Sequence, residues 1–206
     1  YQQFKPITVE GFYIYGSHIE TTTIPDGLTP IEINAANAFG TGEHPTTKGC
    51  LQAMKWLKDT QKLSPRTILD LGCGSAILSI AAAKIWPDTH IIATDMDADS
   101  IDVAVEYAGI NNVADAIECE TAMGYDSNLI RAQKTFPLIL ANILAGPLID
   151  IAEQTAAHLT SGDYVVLSGT LIEQEDAVKQ AHEAHGLEFL KAFHIDEWTS
   201  FVMQKK

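Results

Sequence analysis

From Thr67 onward, short apolar runs alternate with segments whose apolar residues recur at helical spacing. Strands buried on both faces read as continuous apolar runs, so this alternation specifies a mostly parallel sheet with helices on both faces, an α/β fold. The pattern predicts strands at Thr67–Leu71, His90–Thr94, Ala116–Cys119, Leu138–Ala141 and Tyr164–Leu167. Helices are predicted at Ile77–Ile85, Ser100–Ala108, Leu148–Leu159 and Glu173–His185. Two last apolar stretches, Glu188–Phe193 and Ser200–Met203, are expected to pair as a hairpin and bring the sheet to seven strands. Gly162 and Gly186 each follow a helical pattern where a C-cap belongs.

Ahead of Thr67 the pattern changes. Tyr1–Asn34 mixes Thr, Ile and aromatic residues with Pro6, Gly11, Gly16, Pro25, Gly27 and Pro30, which reads as short strands and turns. Thr46–Lys58 is helical in pattern, with Leu51, Met54 and Leu57 on one face. A chain of 206 residues holds one α/β domain but not two of ordinary size. The expected division is a β-rich lead-in with a covering loop over residues 1–45 and the α/β domain over 46–206.

Thirteen Lys and Arg stand against 27 Asp and Glu, a formal charge of −14. That balance repels polyanions and disfavours direct nucleic-acid binding. It suits a basic partner, and it equally suits solubility alone. No apolar run approaches the length of a membrane helix, and no secretory signal is recognisable at the N-terminus. Cys50, Cys73 and Cys119 are widely separated, with no CxxC pair and no clustered histidine, so no metal site is expected. Reduced thiols of this kind point to the cytoplasm.

The chemistry-bearing segment is Ile68–Ser75 (ILDLGCGS), where the first parallel strand turns into the first helix. Open α/β sheets bind ligands at that edge, and Gly72 and Gly74 let the backbone turn sharply and approach a ligand without a Cβ. Asp95 ends the second strand in Thr94-Asp95-Met96-Asp97, where a carboxylate can accept hydrogen bonds from both hydroxyls of a ribose. A dinucleotide fingerprint GxGxxG would need glycine at Ile77, so a nicotinamide dehydrogenase is disfavoured. Asp70 has two open readings: a cofactor contact, or an anion stabilised by the amides of the following helix.

Two further segments narrow the reading. Ala38–Thr47 (AFGTGEHPTT) precedes the first long helix, and Ala141–Leu148 (ANILAGPL) follows the fourth strand. With LDLGCGS they resemble the ribosomal protein L11 methyltransferase (PrmA-type) family in order and spacing. The likeness runs from about Phe39 to Glu197-Trp198 and includes Leu167-Ser168-Gly169. It implies a class I, Rossmann-like methyltransferase that uses S-adenosyl-L-methionine and modifies lysine side chains and the N-terminal amine of a basic large-subunit ribosomal protein.

By that resemblance Thr47, Gly72, Asp95 and Asn142 are cofactor contacts, and Phe39, Gly40, Thr41 and Gly42 form a loop over cofactor and substrate amine. Asp70, which would reach the methionine end, Gly74 and Met96 complete the expected cofactor site. Asn142 and Thr47 are the expected catalytic pair that positions the amine. An amide carbonyl at a strand end can accept a hydrogen bond from the attacking nitrogen and aim its lone pair, though an asparagine there can also cap the next turn. AFGTG read alone is equally a turn, and His44 is either a proton acceptor or a packing residue.

The chain departs from the family where LDxGCGSG becomes Ser75-Ala76, and where Asn34-Ala35-Ala36-Asn37 replaces an acidic-Pro-Gly stretch. Ala76 is expected in the first helical turn. Family members also carry an N-terminal substrate-recruiting domain, and these 206 residues are expected to hold the catalytic domain without it. Rival readings are a methyltransferase of the same fold acting on a small molecule or another protein, and a non-catalytic module that retains the cofactor pocket.

Overall fold

The computed structural model describes residues 5–34 and 44–206. The lead-in is a three-stranded sheet of β1 (Ile7–Val9), β2 (Phe12–Tyr15) and β3 (Thr29–Glu32). β1 and β2 pair antiparallel across Glu10-Gly11, both with positive φ (48° and 82°), the backbone that a two-residue hairpin loop requires. β2 and β3 run parallel. Ile14, Ile31 and Ile33 are fully buried in the same core as the helices that follow. Asn111 clamps the last strand: its Oδ1 accepts from the Glu32 amide at 2.8 Å, and its Nδ2 donates to the Glu32 carbonyl at 2.9 Å.

Helix α1 (His44–Asp59) leads into the main sheet, made of β4 (Thr67–Leu71), β5 (His90–Asp95), β6 (Ile117–Thr121), β7 (Leu138–Asn142), β8 (Tyr164–Leu171), β9 (Leu187–Ile195) and β10 (Trp198–Lys205). The strand order is β6-β5-β4-β7-β8-β10-β9, parallel except for β10, which is antiparallel to both of its neighbours. The expected hairpin is therefore β9–β10, and the α/β class with a seven-stranded, mostly parallel sheet is the observed one. Between the strands lie α2 (Ile77–Ile85), α3 (Ala98–Ile110), α4 (Asn128–Gln133), α5 (Ala145–Asp150), α6 (Ala152–Ala157) and α7 (Glu175–Glu183).

Strand parity sorts the core into two layers. Ile68, Leu138, Leu140 and Val166 pack with α1, α2, α3 and the lead-in. Leu69, Leu71, Ile139, Ala141, Val165 and Leu167 pack on the other face with Leu148, Ala156 and Val178 of α5, α6 and α7. The same parity turns Asp70, Asn142 and Ser168 toward the α1–α2 layer.

Two local expectations change. The single helix expected at Leu148–Leu159 is two short ones, broken at Ile151 with φ −99° and ψ 8°. Helix α4 had no periodic signal because it is only six residues long. It is held by Ser127, whose hydroxyl accepts from the Ile130 amide, and by Glu120 of β6, which accepts from the Asn128 and Leu129 amides.

Candidate functional site

The site grows out of the turn after β4. Gly72 and Gly74 have φ of 70° and 53°, the left-handed region that glycine enters without penalty. A Cβ on Gly72 would lie 2.5 Å from Ile143 Cγ2, whereas Gly74 faces open space. The Cys73 amide donates to the Thr94 carbonyl at 2.8 Å and the Gly74 amide to Asp95 Oδ2 at 2.9 Å, so the turn is stitched to the end of β5. Asp95 Oδ1 accepts from the Asp97 amide at 3.0 Å. Ala76 lies outside the first helical turn: it is the N-cap of α2, fully buried, with φ 63° and ψ 26°. The left-handed backbone explains a glycine at this position elsewhere in the family, and an alanine there stores about 1–2 kcal/mol of strain.

A cavity of about 630 Å³ opens beside this turn at the carboxyl ends of β4 to β8. It occupies the crevice where strand order reverses between β4 and β7, the position at which open α/β sheets take ligands. Gly72, Asp95, Met96 and Asn142 line it together, with Thr46, Ala122, Met123, Ile143, Leu144, Pro147, Asp150, Gly169 and Trp198 among the other walls. Met96, Met123 and Leu144 leave more than half of their surface exposed at its rim. Apolar walls with a few aimed polar groups are the general character of small-molecule sites.

The remaining expected residues are placed differently. Asp70 is buried and does not line the cavity; it accepts from Ser79 Oγ at 2.6 Å and from the Ser79 amide at 3.2 Å. Burial pushes its carboxyl up to about 6, with the Ser79 hydrogen bonds opposing and the Asp95 charge adding a smaller push. Thr47 is buried off the cavity, while its neighbour Thr46 lines it and accepts from Asn142 Nδ2 at 3.4 Å. Gly74 flanks the cavity through its bond to Asp95. Phe39, Gly40, Thr41 and Gly42 lie outside the described residues, as does the His44 side chain.

Of the walls not singled out beforehand, Pro147, Gly169 and Trp198 stood inside matched motifs. Met123 and Gly124 follow β6 in a turn that no sequence pattern marks. Cys50 and Cys73 are buried and Cys119 half-buried, all unpaired, with every thiol pushed upward first by burial. Among the described residues no group of His, Cys, Asp or Glu is arranged to hold a metal ion, and no helix is long and apolar enough to cross a membrane.

Comparison with known proteins adds identity to this geometry. A family model described as "Ribosomal protein L11 methyltransferase (PrmA)" matches residues 1–206. A ribosomal protein L11 methyltransferase of Brucella melitensis is 42% identical over 200 residues, 97% of this chain and 69% of that protein. The crystal structure of a ribosomal protein L11 methylase from Lactobacillus delbrueckii superposes over the whole of both chains with a TM-score of 0.84 at 24% identity. A T. thermophilus 16S rRNA methyltransferase, solved with AdoMet and guanosine, shares the fold at a TM-score of 0.62 and 15% identity, over 77% of this chain and 43% of that one. With its sheet order, glycine turn and cavity, the chain belongs to the ribosomal protein L11 methyltransferase (PrmA) family.

Proposed function

We propose that this protein transfers methyl groups from S-adenosyl-L-methionine to amines, lysine side chains or an N-terminal amine, of a large-subunit ribosomal protein. The observation that carries the reading is Asn142, at the end of β7 in the cavity wall with its Nδ2 engaged by Thr46. Its Oδ1 is thereby the end of the amide left to accept a hydrogen bond from an entering amine.

The residues present fit the cofactor. Gly74 faces open space beside Asp95, and a carboxylate whose two oxygens each take one backbone amide retains lone pairs for ribose hydroxyls. Met96 and Met123 offer apolar surface at the rim for a base. The bound sulfonium supplies an electrophilic methyl group. The chain's own work is alignment and exclusion of water, because displacement by a neutral amine needs no strong base in the site. Ile143, Leu144, Pro147 and Trp198 strip water from the amine, which lowers its pKa from the reference value of about 10.4 so that its proton leaves to solvent. The net charge of −14 complements a basic substrate.

The test is mass spectrometry of ribosomal proteins incubated with this chain and isotopically labelled S-adenosylmethionine. A labelled shift on one basic ribosomal protein, lost in Asn142→Ala at cofactor concentrations that saturate the variant, is the expected result. Transfer to small molecules alone, or undiminished transfer by the variant, overturns it.

A further inference from the structure

The Leu167-Ser168-Gly169 stretch has no part in the reading above, yet it lies where β8 bulges. Thr199 of β10 pairs with Thr170 and Phe201 pairs with Leu167, so Ser168 and Gly169 together oppose Ser200. A bulge beside a site re-aims side chains. At this one, Gly169 has φ 81°, and a Cβ there would stand 2.2 Å from the Ile143 carbonyl oxygen. Only glycine lets the β8 backbone lie against the residue that follows Asn142.

Ser168 sits beside Asn142 in the parallel register of β7 and β8. Its hydroxyl is 2.6 Å from Ser200 Oγ, and the two oxygens are 3.5 and 3.4 Å from the Thr46 carbonyl. Two hydroxyls hold two protons: one joins the pair, and the other is shared between the Thr46 carbonyl and the buried Cys50 thiol that both serines also meet. The side chains of Ser168, Ser200 and Thr46 are at most 1% exposed, so water does not replace these bonds. Helix α1 reaches them because Gly49 has no side chain; a Cβ there would meet Ser200 Oγ at 2.2 Å. Thr46 in turn accepts from Asn142 Nδ2.

We propose that the β8 bulge and Ser200 are a positioning device for the acceptor asparagine. The serine pair fixes the Thr46 backbone, Thr46 Oγ1 fixes Asn142 Nδ2, and Oδ1 is held as the end presented to the amine. Ser168 and Ser200 touch neither cofactor nor amine and act through Thr46. The inference rests on the amine-methyltransferase reading for its kinetic consequence, but not for the geometry.

Ser168→Ala and Ser200→Ala, singly and together, are measured in this chain for kcat, for cofactor affinity by calorimetry, and by NMR of the Asn142 side-chain amide in 15N-asparagine-labelled protein. The expected result is a kcat lowered about 10- to 100-fold, as for a small misplacement of an aligned group, with S-adenosylmethionine affinity unchanged and no further loss in an Asn142→Ala background. Ser200→Cys, of similar size and with a weak donor, recovers part of the rate and serves if the double variant does not fold. Rate and cofactor affinity falling together, or serine and Asn142 effects that multiply, overturn the device. The amide resonance is independent of any acceptor. If it shifts and exchanges faster in the serine variants while no amine is methylated, the positioning stands and the proposed function falls; if it is unmoved, the positioning falls.

Discussion

The Gly74 amide donates to Asp95 Oδ2 at 2.9 Å, joining the turn after β4 to the end of β5. One carboxylate thus shapes the glycine turn and faces the cavity. Asp95→Ala is expected to weaken S-adenosylmethionine binding about 10- to 100-fold by calorimetry, from charge-assisted hydrogen bonds of about 1.5–3 kcal/mol. Unchanged affinity would remove Asp95 from the cofactor site.

Gly72 and Gly74 share a left-handed backbone but not their surroundings. Gly72→Ala adds a clash with Ile143 to the backbone strain and is expected to lower stability by about 2–4 kcal/mol in urea denaturation. Gly74→Ala meets nothing within 4 Å, and its backbone strain of about 1–2 kcal/mol is about half offset by the stiffer unfolded chain, so a net loss of up to about 1 kcal/mol is expected. Equal losses at both positions would show that the Ile143 contact is relieved by movement.

Ala76 presents the reverse experiment. Ala76→Gly relieves the left-handed strain, while the freer unfolded chain returns about half of the gain, so a net stabilisation of up to about 1 kcal/mol is expected. Chemical denaturation that shows a loss would mean that the buried methyl packs well enough to outweigh the strain.

Asp70 makes stability depend on pH. Its folded pKa of about 6 lies above the ordinary carboxylate value of 3.8, so its contribution is intact below about pH 4 and is lost as pH rises through 6. Relative to Asp70→Asn, the wild type is expected to lose about 2 kcal/mol between pH 4 and 7. Parallel stability curves for the two proteins would indicate that Ser79 alone accommodates the ionised form.

Local pattern carried much of this far. The Thr67–Leu71 strand and Ile77–Ile85 helix have the same bounds in sequence and structure, because a buried strand and a buried helix each leave a predominantly apolar run. Helix α4, held by Glu120 from another strand, leaves none. The backbone of Ala76 was legible only as a departure from a glycine, since a left-handed angle depends on how the turn is anchored to Thr94 and Asp95.

The sheet, the glycine turn, the acidic residue at the end of β5 and the asparagine at the end of β7 are written in the chain, because each follows from short-range periodicity or motif spacing. Which hydroxyl Asn142 meets, and what the Asp70 carboxylate bonds, follow from the packing of the folded chain. Strand parity sends the Asp70 carboxylate to Ser79. The rotation of α1, set by the contact of Gly49 with Ser200, brings Thr46 rather than Thr47 to the asparagine. The second outcome depends on packing between elements distant in the chain, which no local pattern encodes, and the first on how the glycine turn lays α2 back along β4.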